Sequence, residues 1–444
     1  MSVTTQIQGK GQAIFMNNDI LKRVQNVDLG ADLAVENIEE LANAGYVEKL
    51  ADLPKVSVSI ETNDVGSMAN LVLLKSGTQL PSTPTAYGVN RGTTGIYVGT
   101  YSGNDVVTML DPTYDLDHQK CPSFVFKISE FNNTTLDRSC HLQGTYLDAV
   151  EFAYEVGGLA KENYRFSGDH KVWYFGTKKD IALDFATYSD ASNATTTVNM
   201  TTLGLTLEAV FLNKEEIYND AKSLDTYSIT WAGTTLTAGT GTPFLSGDRI
   251  EVVYSYNTAR EFPKLNTTNT GTRGGLRRGC IKVYAWKNGD TGDKEKLLRC
   301  QSVSGSLDFG RQEIYELGTQ RYIDKPTTYP LNVRFDLTFN QADLKTMAIA
   351  QGKFASGASP NWEDGTLTTM DVKDFIDNCD VQVEIYKDAH TATASTLAKT
   401  ITFANCKIVT EGDSARVGNT AGQWRATLQT DNIVWSGSGN NLDS

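Results

Sequence analysis

The feature that most constrains this chain is an internal repeat. The segment KRVQNVDLGADLAVENIEELANAGYVEKLADLP, beginning at Lys22, is echoed by LRCQSVSGSLDFGRQEIYELGTQRYIDKPTTYP, beginning at Leu298, at a constant separation of 276 residues. Without a gap, Arg23 matches Arg299, Gln25 Gln301, Val27 Val303, Asp32 Asp308 and Ile38 Ile314. Further along, Glu40 matches Glu316, Leu41 Leu317, Tyr46 Tyr322, Lys49 Lys325 and Pro54 Pro330. A repeat of this length makes the architecture a matter of one folding unit used twice, so it governs every later reading.

The hydrophobic period repeats along with the letters. Val27, Leu29, Ala31 and Leu33 alternate with Asp28, Gly30 and Asp32, and Val303, Gly305, Leu307 and Phe309 alternate with Ser304, Ser306 and Asp308, the period of a half-buried strand. A second alternating strand follows the shared proline, Val56-Val58-Ile60 in one copy and, one residue later, Val333-Phe335-Leu337 in the other. A slip of one would turn the apolar set outward unless the chain compensated, so this shift predicts the same strand in the same sheet. A short helix is expected after each, from Asn63 to Gly77 and from Asn340 to Gly352. Phe124-Phe126-Ile128 behind Cys121 matches Val381-Val383-Ile385 behind Cys379, Cys140 matches Cys406, and Tyr164-Arg165-Phe166 matches Trp424-Arg425-Ala426. The expected fold is mainly β: two tandem β-sandwich or barrel domains, residues 1–171 and 262–444, each with a flanking short helix. Residues 172–261 match neither copy, and short strands at 207–211, 227–231 and 249–254 between turn-forming residues predict a small β-sandwich there. TRGGLRRG, with Arg273, Arg277 and Arg278, reads as a basic linker loop into the second copy.

Chemistry is sparse by comparison. Asp and Glu number 53 against 40 Lys and Arg, and the net charge of -13 opposes broad adhesion to nucleic acid or an anionic membrane. The N-terminus carries no apolar stretch that would read as a secretion signal, and no apolar run is long enough to span a bilayer. Six cysteines lie far apart without metal-ligand spacing and read as reduced structural thiols. His118, His141, His170 and His390 sit in unrelated contexts, and Gly9-x-Gly11 and Gly239-x-Gly241 lack the setting of a phosphate cradle. Asp111, Asp115 and Asp117 could offer oxygen ligands to a divalent cation but read as a solvated loop. No catalytic set, metal or cofactor is expected, and the reading is of a protein that is not an enzyme.

Two like domains in tandem suggest an assembly in which the domain is the repeating unit, since heterologous contacts whose rotation closes make a ring. Arg23 with Glu40 and Arg299 with Glu316 are candidate inter-subunit charges on this view. At RVQNVDLGADL with EELANAGYVEKLADLP, at its echo RCQSVSGSLDF with YELGTQRYIDKPTTYP, and at VGGLAKENYRFSGD, the sequence resembles the tail tube (major tail) proteins of tailed bacteriophages and archaeal viruses. The resemblance implies a β-sandwich whose inner sheets join into a barrel around a lumen, here as homotrimeric rings of pseudo-sixfold symmetry stacked into a conduit for DNA. It implies as partners other copies of the chain, tail terminator and tail-tip proteins, and tape measure protein and viral DNA in the lumen, with a virion tail location after assembly in the host cytoplasm. The middle module resembles immunoglobulin-like decorations inserted into such proteins. Within the longer insert of the first copy, VNRGTTGIYVGTYSGNDVVTML, with Val89, Tyr97 and Tyr101, is expected to be an arm that stacks one ring on the next. The other class is a tail-associated adhesin or carbohydrate-binding protein, with Tyr227 and Trp231 as an exposed platform.

Overall fold

The computed structural model describes residues 12–16, 19–20, 24–39, 46–63, 104–108, 124–132, 135–168, 170–175, 181–187, 197–199, 206–212, 215–220, 222–232, 235–239, 241, 243–245, 249–255, 278–287, 294–315, 317, 325, 328, 333–340, 379–386, 397–414, 422–430 and 432–438. The strands of the first half are β1 (Gln12–Met16), β2 (Asp19–Ile20), β3 (Val24–Glu39), β4 (Tyr46–Thr62), β5 (Asn104–Thr108), β6 (Phe124–Asn132), β7 (Thr135–Glu155), β8 (Lys161–Gly168) and β9 (His170–Phe175). The middle holds β10 (Ile181–Thr187), β11 (Thr197–Asn199), β12 (Thr206–Leu212), β13 (Glu215–Asn219), β14 (Leu224–Asp225), β15 (Thr230–Ala232), β16 (Thr235–Thr237) and β17 (Arg249–Ser255). The second half holds β18 (Ile281–Lys287), β19 (Glu295–Lys296), β20 (Cys300–Asp308), β21 (Val333–Asn340), β22 (Cys379–Tyr386), β23 (Leu397–Ser414), β24 (Gln423–Thr430) and β25 (Asn432–Ser438). The fold is mainly β, as the alternating segments predict. The two helix candidates, 64–77 and 341–352, lie outside the described residues.

Eight strands form one antiparallel central sheet in the order β3-β4-β8-β7-β20-β21-β24-β23. Two smaller sheets flank it, β2-β1-β6-β7-β9 and β19-β18-β22-β23-β25-β5. The long strands β7 and β23 each run from a flanking sheet into the central one, so each half is a sandwich folded around a single strand. The apolar faces meet in one continuous core that includes Val58, Phe152, Val303, Phe335 and Phe403, drawn from both halves.

The same ladder occurs in each half. Val27 lies opposite Ile60 and Leu29 opposite Val58, while Val303 lies opposite Leu337 and Gly305 opposite Phe335. The one-residue slip read in the letters therefore falls between the two strands and leaves the ladder unchanged, and Val56, Val58 and Ile60 are as fully buried as Val333, Phe335 and Leu337. Irregularities recur too. Register shifts between Leu147 and Ala149 on β7 as it does between Ile408 and Thr410 on β23, and a bulge of this kind kinks the strand in both places.

These registers correct three of the finer matches, the first being Phe124-Phe126-Ile128, which lies level with Cys379-Val381-Val383 because Ile128 faces Cys140 as Val383 faces Ile401. Ile60 faces Tyr164 and Leu337 faces Ala426, so the rung held by Tyr164 is held by Ala426 and not by Trp424. A two-residue error preserves the buried face, which is why the aromatic-Arg letters matched on the wrong rung. Cys140 faces Ile128, whereas Cys406 faces Cys379 ahead of a register shift; the counterpart of Cys140 is Ile401 and that of Cys406 is Thr145. β9 runs across the expected boundary at 171/172 and pairs with β7 as β25 pairs with β23, Trp173 opposite Cys140 and Trp435 opposite Ile401.

The repeated segment also takes two conformations. In the first half β3 and β4 continue as a hairpin out to Glu39 opposite Tyr46. In the second half β20 ends at Asp308, and the following residues turn onto the first half.

The middle strands form a five-stranded sheet, β14-β13-β12-β17-β10, and a three-stranded one, β11-β16-β15. Their core is separate, with Val210, Leu236, Phe244, Ile250 and Val252 fully buried. The strands expected at 207–211 and 249–254 are β12 and β17, but no continuous strand covers 227–231. Ser228 takes a φ of 49° there, and the Asp225 carboxylate accepts the Ile229 N–H at 2.8 Å, a turn that leaves only Thr230 and Trp231 of the run in a strand, β15. The His170 ring meets Phe211 edge-on at 5.5 Å, joining the module to β9.

Candidate functional site

The joint between the halves is where the repeat acquires a use. β20 adds to β7 along seven rungs, from Ser302 opposite Glu155 to Asp308 opposite Ala149, and Val156 N–H extends the ladder by donating to Gln301 O at 2.9 Å. Gly305 sits opposite Phe152, and a Cβ there would come within 2.8 Å of the Phe152 ring and 2.7 Å of Phe335 Cβ. A glycine is needed because the sheet is crowded from both neighbouring strands at that point.

Beyond the last rung, the chain after β20 docks on the end of β7. Phe309 N–H donates to Asp148 O at 2.8 Å, and Arg311 donates through Nε to Leu147 O at 2.6 Å and through Nη1 to Lys325 O at 2.8 Å. The Arg311 guanidinium also lies over Phe309 and Tyr146, at 5.3 and 5.7 Å. Lys325 Nζ stands 3.3 Å from Asp148 and 3.7 Å from Glu313, and donates to Ser167 Oγ. Its side chain is 7% exposed, so the ammonium is held by carboxylates from both halves rather than by water.

The second flanking sheet covers this joint. The Phe403 ring lies 4.1 Å from Phe335 and 5.6 Å from Phe152. Deeper in, Lys399 of β23 and Glu162 of β8 pair at 2.6 Å, each 2% exposed. Tyr154 donates to the same carboxylate at 2.5 Å and Tyr164 to its other oxygen. Burial, then the adjacent Glu162 charge, pushes the Tyr154 phenol well above its ordinary range, so it remains a donor.

The pairing leaves two strands open. β3 stands to β4 as β20 to β21, and β23 stands to β24 as β7 to β8, yet among the described residues the far sides of β3 and of the central-sheet part of β23 carry no strand. Leu33 is 63% exposed where its counterpart Phe309 is 2% exposed. Val409, at the place of Asp148, is 45% exposed, and residues 409–414 are exposed throughout. Open, partly apolar edges of this kind are templates for another chain.

Of the residues singled out from the sequence, Arg23, Glu40 and Glu316 lie outside the described residues. Arg299 occupies an exposed left-handed turn, φ 61°, ahead of β20, and its carbonyl accepts Asn340 N–H at 3.2 Å. Val89, Tyr97 and Tyr101 are outside the described residues, but the end of the expected arm, 104–108, is β5, paired with β25 in the same chain. Arg273 and Arg277 are also outside; Arg278 opens the 3-10 turn Arg278–Cys280 leading into β18. Tyr227 and Trp231 are half-buried against the module's own core, which corrects the expectation of an exposed platform. Asp111, Asp115 and Asp117 lie outside the described residues, among which no group of three or more His, Cys, Asp or Glu could hold a metal. The five described cysteines are free thiols, and burial pushes Cys140 to about 11 and Cys300 and Cys379 to about 12. Among the described residues no helix is long and apolar enough to cross a membrane.

Glu162, Lys399, Arg311 and Val409 were not marked by sequence. Lys325 was, as a repeated letter, and Phe309 as the last apolar position of the alternating run. Glu162, Lys399 and Arg311 carry no local signal, because they meet partners from the other half of the chain.

No protein-family model and no curated protein matches the chain. Among solved structures, the SPP1 tail tube is 12% identical, with a TM-score of 0.25, over 38% of this chain and 82% of that one. The tube-terminating cap of the anti-feeding prophage is 10% identical, with a TM-score of 0.24, over 40% of this chain and 95% of that one. At these scores neither likeness bears on the role of the chain, which rests on its own strands.

Proposed function

We propose that the chain is a structural subunit of a viral tail tube, built from two copies of one β domain with an immunoglobulin-like module between them. The carrying observation is the β7–β20 joint: it closes one domain-to-domain contact within the chain and, among the described residues, leaves the matching edges, β23 and β3, open. Repeating the same contact between chains adds β3 of one chain to β23 of the next. Transferring the register of the internal joint puts Asp32 opposite Thr410, Gly30 opposite Gly412 and Asp28 opposite Ser414, with Leu33 against Val409. Such a contact is head to tail and propagates the central sheet, so closure gives a ring walled by that sheet. Three chains per ring, stacked into a conduit for DNA, is the arrangement the sequence resemblance implies.

The charge balance supports a passive conduit. A net -13 gives a passing polyanion little to bind, and among the described residues no group of three or more His, Cys, Asp or Glu could hold a metal. Electron microscopy of virions labelled with antibody against residues 181–255 tests the role. Labelling repeated along the tail shaft is expected; labelling confined to the tip or the capsid would contradict it.

A further inference from the structure

The buried ion pair between the halves has a counterpart whose members stay apart in the single chain. On one rung of the central sheet Phe152 of β7 lies opposite Glu162 of β8, and on the matching rung Asp413 of β23 lies opposite Trp424 of β24. Each rung holds an aromatic ring and a carboxylate, with their strands exchanged. Lys399, the cation over the first rung, faces Ile385 two residues before Ile401. Its match, two residues before Cys140 and facing Glu130, is Arg138.

What is covered in the first set is uncovered in the second. The Lys399 side chain is 2% exposed and that of Arg138 is 40% exposed. Asp413 and Glu411 are exposed at the places where Phe152 and Val150 are buried. Both carboxylates lie on the core-side face of β23, since they stand opposite buried Trp424 and Ala426. Carboxylates directed inward beside an open edge oppose an arbitrary apolar strand, which would bury them unpaired. A partner for this edge must bring a cation to that face.

The first half carries one in the right place. Within the chain, the flanking sheet of the second half reaches across the β7–β20 joint to Phe152 and Glu162. The matching sheet of the first half holds Arg138, and its β3 is the strand that would add to β23 of another chain. Arg138 is paired with Glu130 and lies 5.1 Å from the Trp173 ring centroid. A guanidinium has enough N–H donors, in a fixed fork, to join a second carboxylate.

We propose that Arg138 of one chain pairs with Asp413 of a second copy, docking the flanking sheet of the first half over the exposed end of β23. This rests on the head-to-tail ring reading. The contact is the intermolecular form of Lys399 with Glu162, its carboxylate displaced by one strand along the same rung. It selects an intact first half over a bare strand, because only the whole half brings the cation.

The test is a double-variant cycle on assembly, comparing critical concentrations of the unaltered chain, Arg138→Gln, Asp413→Asn and the two together. Each single change is expected to raise the critical concentration about tenfold, and the combination no further than the larger single change, because one loss already breaks the contact. Losses that multiply, or none from Asp413→Asn, overturn the proposal. Should Arg138→Gln fail to fold, carbodiimide coupling of particles assembled from Arg138→Lys decides. An amide joining positions 138 and 413 of different chains is expected; its absence, or an amide closed within one chain, overturns the proposal. Disulfide trapping of Asp32→Cys with Thr410→Cys reports the ring joint in parallel. Chains linked there while the cycle multiplies overturn the Arg138–Asp413 pair and leave the ring standing; no link in assembled particles overturns both.

Discussion

Lys399 on β23 holds Glu162 on β8 at 2.6 Å, a fully buried ion pair that spans the two halves of the chain. Two tyrosine hydroxyls complete the carboxylate's partners, so neither charge is left to water. Such a pair contributes less net stability than it costs to break, because a lone buried charge has nothing to replace its hydration.

Lys399→Met should therefore destabilise the monomer by about 3–5 kcal/mol, and Lys399→Met with Glu162→Leu by less than the single change. Denaturant unfolding of the two variants measures this. A double variant weaker than Lys399→Met would contradict it.

Two strand glycines, Gly305 on β20 and Gly30 on β3, should respond unequally. Gly305→Ala drives a methyl against Phe335 Cβ and the Arg334 carbonyl, whereas Gly30→Ala meets mainly the Ser57 hydroxyl, which can rotate away. Overpacking of the first kind costs about 1–3 kcal/mol. Equal losses at the two positions, read by thermal unfolding, would count against the crowded joint.

Arg311→Ala removes donors to two main-chain carbonyls, Leu147 O and Lys325 O. Leaving charged-donor partners unmet costs about 1–3 kcal/mol, and exchange of the Phe309 amide should quicken with it. Unaltered exchange there would mean that the segment docks without Arg311.

Leu33→Asp and Val409→Asp change exposed positions, so monomer stability should stay within about 0.5 kcal/mol. Assembly should fail in both, because each puts a carboxylate into an apolar contact between chains. Sedimentation of the variants after mixing with growing assemblies reads the outcome; normal incorporation would contradict the proposed edge.

Much of the ladder was legible because alternation fixes which face is buried. Val56-Val58-Ile60 and Val333-Phe335-Leu337 declared both the second strand and its slip. Alternation does not number the rungs, so Tyr164 was matched to Trp424 when Ala426 shares its place, and single cysteines could not be matched across a bulge. β9 straddles the expected boundary because Val172-Trp173 and Val434-Trp435 are the only letters it shares in register with β25. The joint was legible only as a surface that a repeat must present to itself. Its chemistry was not, since Glu162 and Lys399 meet through the fold of opposite halves and leave no spacing to read.

The most direct measurement is disulfide trapping of Asp32→Cys with Thr410→Cys, two exposed positions that face each other only if β3 of one chain adds to β23 of the next in the register of β20 on β7. Chains linked in series within assembled particles, and no link in dilute monomer, are the predicted result. Particles that assemble normally and show no link, or a link closed within a single chain, would contradict the head-to-tail account.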